Sequence, residues 1–123
     1  MSQHRHTVLV LGADLFFAAK INEAAKQAGV ETVYLRRDQT LKELILMFRP
    51  ALIILNLDST QLNPIAVLRE LERAAEAERI PTLGYVAHVN TGVQATARQA
   101  GCDRILARSA FTRDLVKILA SVA

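Results

Sequence analysis

Short apolar runs bounded by polar or turn residues recur along the chain and predict the strands of a sheet. The central run, 51–55, has no two-residue alternation, so it predicts a strand that is buried on both faces. Four further strands are predicted at 7–11, 31–36, 81–87 and 103–107. The 31–36 segment alternates polar and apolar residues, which is typical of an edge strand.

Segments of helical periodicity fill the gaps between these strands. Asp14 is placed to cap the first helix and Gly29 to end it. The next helices are predicted from 40 to 49, from Pro64 onward and from 91 to 100, and Thr112 is expected to cap the last. Five strand–helix units with short connections predict an α/β domain, a parallel sheet with helices on both faces.

Composition places the chain among compact globular proteins, because 51% of its 123 residues are hydrophobic and 22% are charged. We expect a single domain over residues 1–123, with 1–6 as a flexible lead-in. No apolar run approaches the ~20 residues that cross a bilayer, and a single cysteine, Cys102, fits a reducing interior. A cytoplasmic protein without a membrane partner is therefore expected.

The net charge of +3 is spread along the chain rather than gathered in one segment. Nucleic-acid binding favours a coherent basic stripe, often interleaved with aromatic residues, and the sequence has neither this pattern nor a tryptophan. We therefore expect no direct nucleic-acid partner.

Three segments together resemble the receiver domain of response regulators, the CheY-like family, over nearly the whole chain. They are residues 51–56, 80–88 and 100–108. The resemblance implies a flavodoxin-like sheet of order 2-1-3-4-5 and a role in two-component signalling. It also implies a phosphoacceptor aspartate, a pair of acidic metal ligands, a switch hydroxyl, a switch aromatic and an active-site lysine.

Each of those functional positions is changed in this sequence. The acidic pair falls on Gly12 and Ala13, and the phosphoacceptor falls on Asn56. The switch hydroxyl falls on Val86, the switch aromatic on Ile105 and the lysine on Arg108. An amide is not a nucleophile, and the strand tip has lost the carboxylates that magnesium requires. We therefore expect no catalytic residue, metal or cofactor, and predict that the protein is not an enzyme. Asp58 could serve as a displaced phosphoacceptor only without the acidic metal ligands that phosphorylation requires.

The polar groups at the carboxyl ends of the strands are expected to converge at one edge of the sheet. Around Asn56, the predicted pocket comprises Gly12, Ala13, Asp14, Asp58, Val86, Ala87, His88 and Arg108. One interpretation is structural: Arg108 pairs with Asp14 or Asp58, and Asn56 satisfies loop backbone groups. The other is an anion site, in which Arg108, Arg36 or Arg37 and helix N-terminal amides receive a phosphate or nucleotide.

The hypothesis we favour is a stand-alone pseudo-receiver that regulates a signalling partner by protein–protein interaction, independently of phosphorylation. It would bind that partner, or form a homodimer, through its fourth helix, fifth strand and last helix. The candidate interface residues are Val93, Arg98, Arg104, Arg113 and Lys117. The alternatives are a sensor of a small anion or nucleotide at the degenerate pocket, and residual phosphotransfer through Asp58.

Overall fold

The computed structural model describes residues 6–35, 39–74, 80–87 and 91–123. The strands are β1 (Thr7–Leu11), β2 (Glu31–Tyr34), β3 (Leu52–Asn56), β4 (Thr82–Val86) and β5 (Arg104–Ala107). The helices are α1 (Leu15–Ala28), α2 (Leu41–Phe48), α3 (Pro64–Ala74), α4 (Thr91–Gln99) and α5 (Arg108–Ala120). The strands form one parallel sheet in the order β2-β1-β3-β4-β5, so the predicted fold class and strand order are confirmed.

The strand β3 lies at the centre of the sheet because its side chains are apolar on both faces. Ile54 points into an apolar layer shared with α1 and α5, which we call the first layer. Its neighbour Ile53 points into the opposite layer, shared with α2, α3 and α4, which we call the second layer. Both side chains are fully buried, as the unbroken apolar run predicts.

The helix ends follow local capping rules. The Asp14 side chain accepts a hydrogen bond from the Phe17 amide at 2.8 Å, and Gly29 ends α1 with a left-handed φ of 78°. Thr40 and Glu43 form a reciprocal capping box at the start of α2. The hydrogen bond from the Thr40 amide lowers the pKa of Glu43, since it favours the carboxylate.

Helix α5 begins at Arg108, five residues before the start that a cap at Thr112 predicts, so that predicted cap is wrong. Thr112 lies inside the helix, where its hydroxyl donates to the Arg108 carbonyl at 2.9 Å. Phe111 is fully buried in the first layer. Burial of the Phe111 ring stabilises the helical turn around it, and this outweighs the preference of Thr112 for a capping position.

Several large apolar side chains remain at the surface. Leu15 and Phe16, in the first turn of α1, are 92% and 72% exposed. Leu46 and Met47 are exposed on the outer face of α2, and Phe48, which the periodicity places inward, is also largely accessible. Among the helices of the described residues, none combines the length and apolar character needed to span a bilayer.

Candidate functional site

A broad cleft of about 1340 Å³ opens at the carboxyl edge of the sheet, where β1 and β3 end. Its polar lining comes from the loops after these strands and from the start of α5. Its apolar lining comes from the start of α1 and from two loop leucines. The lining residues include Gly12, Asp14, Leu15, Phe16, Leu35, Asn56, Asp58, Leu62 and Arg108.

Asn56 is buried at the end of β3, and its amide is committed to the backbone. Its Nδ2 donates to the Gly12 carbonyl at 3.0 Å, while its Oδ1 accepts from the Asp58 amide at 2.9 Å. This is the structural use expected of Asn56 from the sequence. One contact needs a donor and the other an acceptor, so an ionised carboxylate could not make both.

The two carboxylates of the cleft are each oriented by a backbone amide. Asp14 accepts from Phe17 at the start of α1, and Asp58 accepts from the Ala87 amide at 2.5 Å. Asp58 therefore ties the loop after β3 to the loop after β4. Both side chains are exposed, so water also solvates their charges.

Arg108 stacks on aromatic rings rather than pairing with an acid. Its Cζ lies 5.3 Å from the ring centroid of Phe17 and 5.8 Å from that of Tyr85. It forms no ion pair with Asp14 or Asp58, so the predicted pairing is wrong. Its Nε is buried without a hydrogen-bond partner among the described residues. The guanidinium is thus a half-buried cation in cation–π contact with two rings.

The rings beneath Arg108 form a cluster of three aromatic side chains in the first layer. Tyr85 stacks on Phe111 with centroids 4.9 Å apart and an interplanar angle of 8°, and Phe17 lies 4.7 Å from Tyr85. The Tyr85 hydroxyl is buried without a partner among the described residues. Burial raises its pKa far above the ordinary value, so the phenol stays neutral.

Tyr85 is the site residue that the sequence analysis missed. The available signal was the hydroxyl of Tyr85 near the carboxyl end of β4, where the neighbouring residues are glycine and valine. A tyrosine in a strand is common enough that this signal indicated core packing only. Its relation to Arg108 depends on contacts between segments more than 20 residues apart in the sequence.

The remaining pocket residues divide between the cleft and its surroundings. Gly12 lies in the cleft with φ at 79°, and a Cβ there would be 3.0 Å from the Ser59 Cβ, so the loops approach closely. Ala13 lines the cleft and also contacts the first layer, whereas Val86 is buried in the second. Ala87 contributes its amide to Asp58. The predicted residues His88, Arg36 and Arg37 lie outside the described residues.

Metal-ligating side chains are scattered over the part of the chain that the structure describes. Within those residues, no three histidine, cysteine, aspartate or glutamate side chains come together. At the cleft itself, Gly12 and Ala13 follow β1 with no side-chain oxygen, and the Asn56 oxygen already accepts the Asp58 amide.

The predicted interface lies at the opposite edge of the sheet from β2, around β5. Its basic side chains are exposed on α4, β5 and α5; they are Arg98, Arg104, Arg113 and Lys117. Arg113 pairs with Asp114 at 3.1 Å. Val93 differs from the prediction, because it is half-buried and packs against the second layer, so it serves the core more than a surface.

Comparison with known proteins gives a consistent structural answer. No family model matches the chain, and no curated protein sequence matches it. Among solved structures, a response-regulator receiver domain from Bermanella marisrubri is 19% identical, with a TM-score of 0.79 over 97% of this chain and 98% of its own. The chemotaxis protein CheY4 of Vibrio cholerae is 13% identical, with a TM-score of 0.80 over 98% and 100%. An orphan response regulator of H. pylori, HP1043, is 13% identical, with a TM-score of 0.74 over 94% of both chains.

These likenesses concern the fold, since the identities are low and the coverage is nearly complete. The polypeptide has the fold of a response-regulator receiver domain.

Proposed function

Starting from the receiver fold, we propose that the protein is a pseudo-receiver, a regulatory protein-interaction module that signals without aspartyl phosphorylation. The observation that carries this proposal is the state of Asn56. Its amide replaces the carboxylate expected from the resemblance, and both ends of that amide are bonded to the backbone. An amide nitrogen has no available lone pair for attack on phosphorus.

The surroundings of Asn56 support the same proposal. Aspartyl phosphorylation relies on a magnesium ion held by carboxylates and phosphate oxygens. Gly12 and Ala13 offer none at the end of β1, and Asp14 is engaged as the cap of α1. Asp58, the one displaced candidate acceptor, is bonded to the Ala87 amide.

The test is incubation with acetyl phosphate and magnesium, followed by intact-mass measurement. We expect no mass gain, while a receiver that retains its aspartate, treated in parallel, gains one phosphoryl group. A phosphoryl adduct on the wild-type chain would contradict the proposal. The variant Asp58→Asn then identifies the acceptor, because loss of the adduct in that variant would assign the phosphate to Asp58.

The interaction surface that we propose is the basic face formed by α4, β5 and α5. Arg98, Arg104 and Lys117 are exposed there, and like charges disfavour packing this face against itself. The proposed partner is therefore a protein with an acidic surface, and a homodimer is the competing outcome. Charge complementarity of this kind chiefly raises the association rate and makes binding weaken with salt.

Charge reversal on this face gives a direct test. The double variant Arg98→Glu, Arg104→Glu should lose a partner that co-purifies with the wild type from its native cell. Lys26→Glu is the matched control, because this exposed lysine lies on α1, away from the proposed face. Equal retention of the partner by both variants would refute the assigned face. A doubled mass by light scattering, lost in the double variant, would indicate the homodimer instead.

A second candidate function is the sensing of a small anion at the cleft, and Arg108 is the specific observation that favours it. Arg108 lines the cleft, and its guanidinium pairs with no carboxylate among the described residues. Guanidinium groups bind oxyanions through paired N–H donors. A screen of anions by thermal shift should show stabilisation that disappears in Arg108→Ala; no shift with any anion would exclude this candidate.

A further inference from the structure

The surroundings of Arg108 restrict which anion it can accept. Among the described lining residues, Arg108 is accompanied by two carboxylates, those of Asp14 and Asp58. A dianion such as phosphate is attracted twice as strongly to the guanidinium as a monoanion is, but it is also repelled twice as strongly by these carboxylates. The apolar lining decides between them, because a dianion loses more solvation beside apolar side chains than a monoanion does.

The apolar lining indicates what such an anion should carry with it. Leu15 and Phe16 are among the most exposed large apolar side chains of the described residues, and both line this cleft. The half-buried Leu35 and Leu62 also line it. The next residue of α1, Phe17, lies under the Arg108 guanidinium, so the apolar and cationic parts of the cleft adjoin. Contiguous exposed apolar surface of this kind marks a ligand or partner site.

The size of the cleft agrees with a ligand larger than an inorganic ion. Ligand clefts of proteins enclose about 300–1,000 Å³ and combine apolar walls with a few placed polar groups. At about 1340 Å³ this open cleft exceeds that range, so it has room for an organic ligand, and among its described lining residues Arg108 is the cation beside the apolar wall.

We propose that the cleft binds an organic monoanion, a carboxylate attached to an aliphatic or aromatic body. The carboxylate accepts from the Arg108 guanidinium, and the body covers Leu15 and Phe16. This inference rests on the anion-sensing candidate above and names its ligand class; the protein-interaction proposal does not depend on it.

Four probes separate the charge from the apolar body: hexanoate, acetate, hexanol and inorganic phosphate. Each is titrated into the protein at constant ionic strength, and binding is followed by NMR shifts of backbone amides and of the Arg108 Nε–H. We expect hexanoate to bind at least tenfold more tightly than acetate, since the longer chain buries additional methylenes. Hexanol and phosphate should bind more weakly than hexanoate by a similar factor.

Two variants and two matched controls assign the contacts. Arg108→Gln should abolish the preference for hexanoate over hexanol, while Arg113→Gln, on the same helix but paired with Asp114, should leave it unchanged. Leu15→Gln should reduce hexanoate binding toward that of acetate without affecting acetate. Met47→Gln, at another exposed apolar position, on α2, should change neither affinity. All four positions are exposed or half-buried, and circular dichroism verifies folding.

The outcomes distinguish the ligand class from the anion site itself. If phosphate or acetate binds as tightly as hexanoate and Arg108→Gln abolishes that binding, the anion site stands and the proposed ligand class is refuted. If hexanol binds as tightly as hexanoate, Arg108 is not the anchor and the inference fails. If none of the four probes binds, both the inference and the anion-sensing candidate fail.

Discussion

The two apolar layers of the molecule bury their side chains to similar extents but differ in chemistry. The second layer is almost wholly aliphatic, and its buried Cys102 behaves as a small apolar residue whose thiol pKa is raised by burial. The first layer contains the stacked rings of Phe17, Tyr85 and Phe111, with Arg108 above them. Both of the buried side-chain atoms without partners among the described residues belong to this aromatic and cationic cluster.

This difference indicates where the fold tolerates an energetic cost. A buried polar atom without a partner costs about 1–3 kcal/mol, and natural cores avoid it. Here Tyr85 and Arg108 bring two such atoms to the face of the sheet that also carries Asn56. The two layers therefore differ in how completely their buried polar atoms are satisfied, with both unpartnered atoms of the described residues on the side of the first layer.

The largest expected effect comes from truncating each layer at a large, well-buried helical side chain. Phe111→Ala removes a fully buried ring from the aromatic cluster and should lower the free energy of unfolding by about 3–5 kcal/mol. Leu68→Ala, in the second layer, should cost about 2–4 kcal/mol. Urea unfolding measures both. Only Phe111→Ala should also shift the NMR resonance of the Arg108 Nε–H; an equal shift in Leu68→Ala would remove the distinction between the layers.

A smaller effect is expected for Asn56→Asp. The new carboxylate would face the Gly12 carbonyl, an acceptor, in place of the donating Nδ2. At neutral pH we expect a loss of about 1–3 kcal/mol. The contact favours the protonated acid, so the folded-state pKa of the new group is raised; stability relative to the wild type is retained at acidic pH and lost as pH rises through that value.

The control for this variant is Asn63→Asp. The Asn63 Oδ1 accepts the Ala66 amide at 3.1 Å near the start of α3, a role that a carboxylate performs equally well. Unfolding measured between acidic and neutral pH should therefore show a pH-dependent loss in Asn56→Asp alone. Parallel pH profiles in the two variants would show that the Gly12 contact does not matter.

The smallest effect, and the one of opposite sign, is expected for Tyr85→Phe. Removing a buried hydroxyl that has no partner among the described residues should leave stability unchanged or raise it by up to about 1 kcal/mol. The matched variant Tyr34→Phe loses hydrogen bonds to the Ala18 carbonyl and the Asn22 Oδ1, and should cost about 0.5–1.5 kcal/mol. A clear loss in Tyr85→Phe would show that its hydroxyl is satisfied in solution.

Much of the fold follows from local pattern. The apolar run in β3 predicted its central place, and Asp14 and Gly29 mark both ends of α1, because strand burial and helix capping depend on residues close in sequence. The predicted start of α5 was wrong because it depends on contacts between residues far apart in sequence. Phe111 is held by rings from α1 and β4, and no local rule at Thr112 contains that information.

For the candidate site, the sequence alone determined the chemistry at the end of β3: an amide at position 56, and no side-chain oxygen at Gly12 or Ala13. The environment of Arg108 was decided only by the tertiary structure. Charge complementarity predicted that Arg108 pairs with Asp14 or Asp58. Instead, nearby backbone amides orient both carboxylates, and the Arg108 guanidinium lies against aromatic rings. A residue's type fixes what it can bind, but the contacts that compete for it come from segments brought together only by folding.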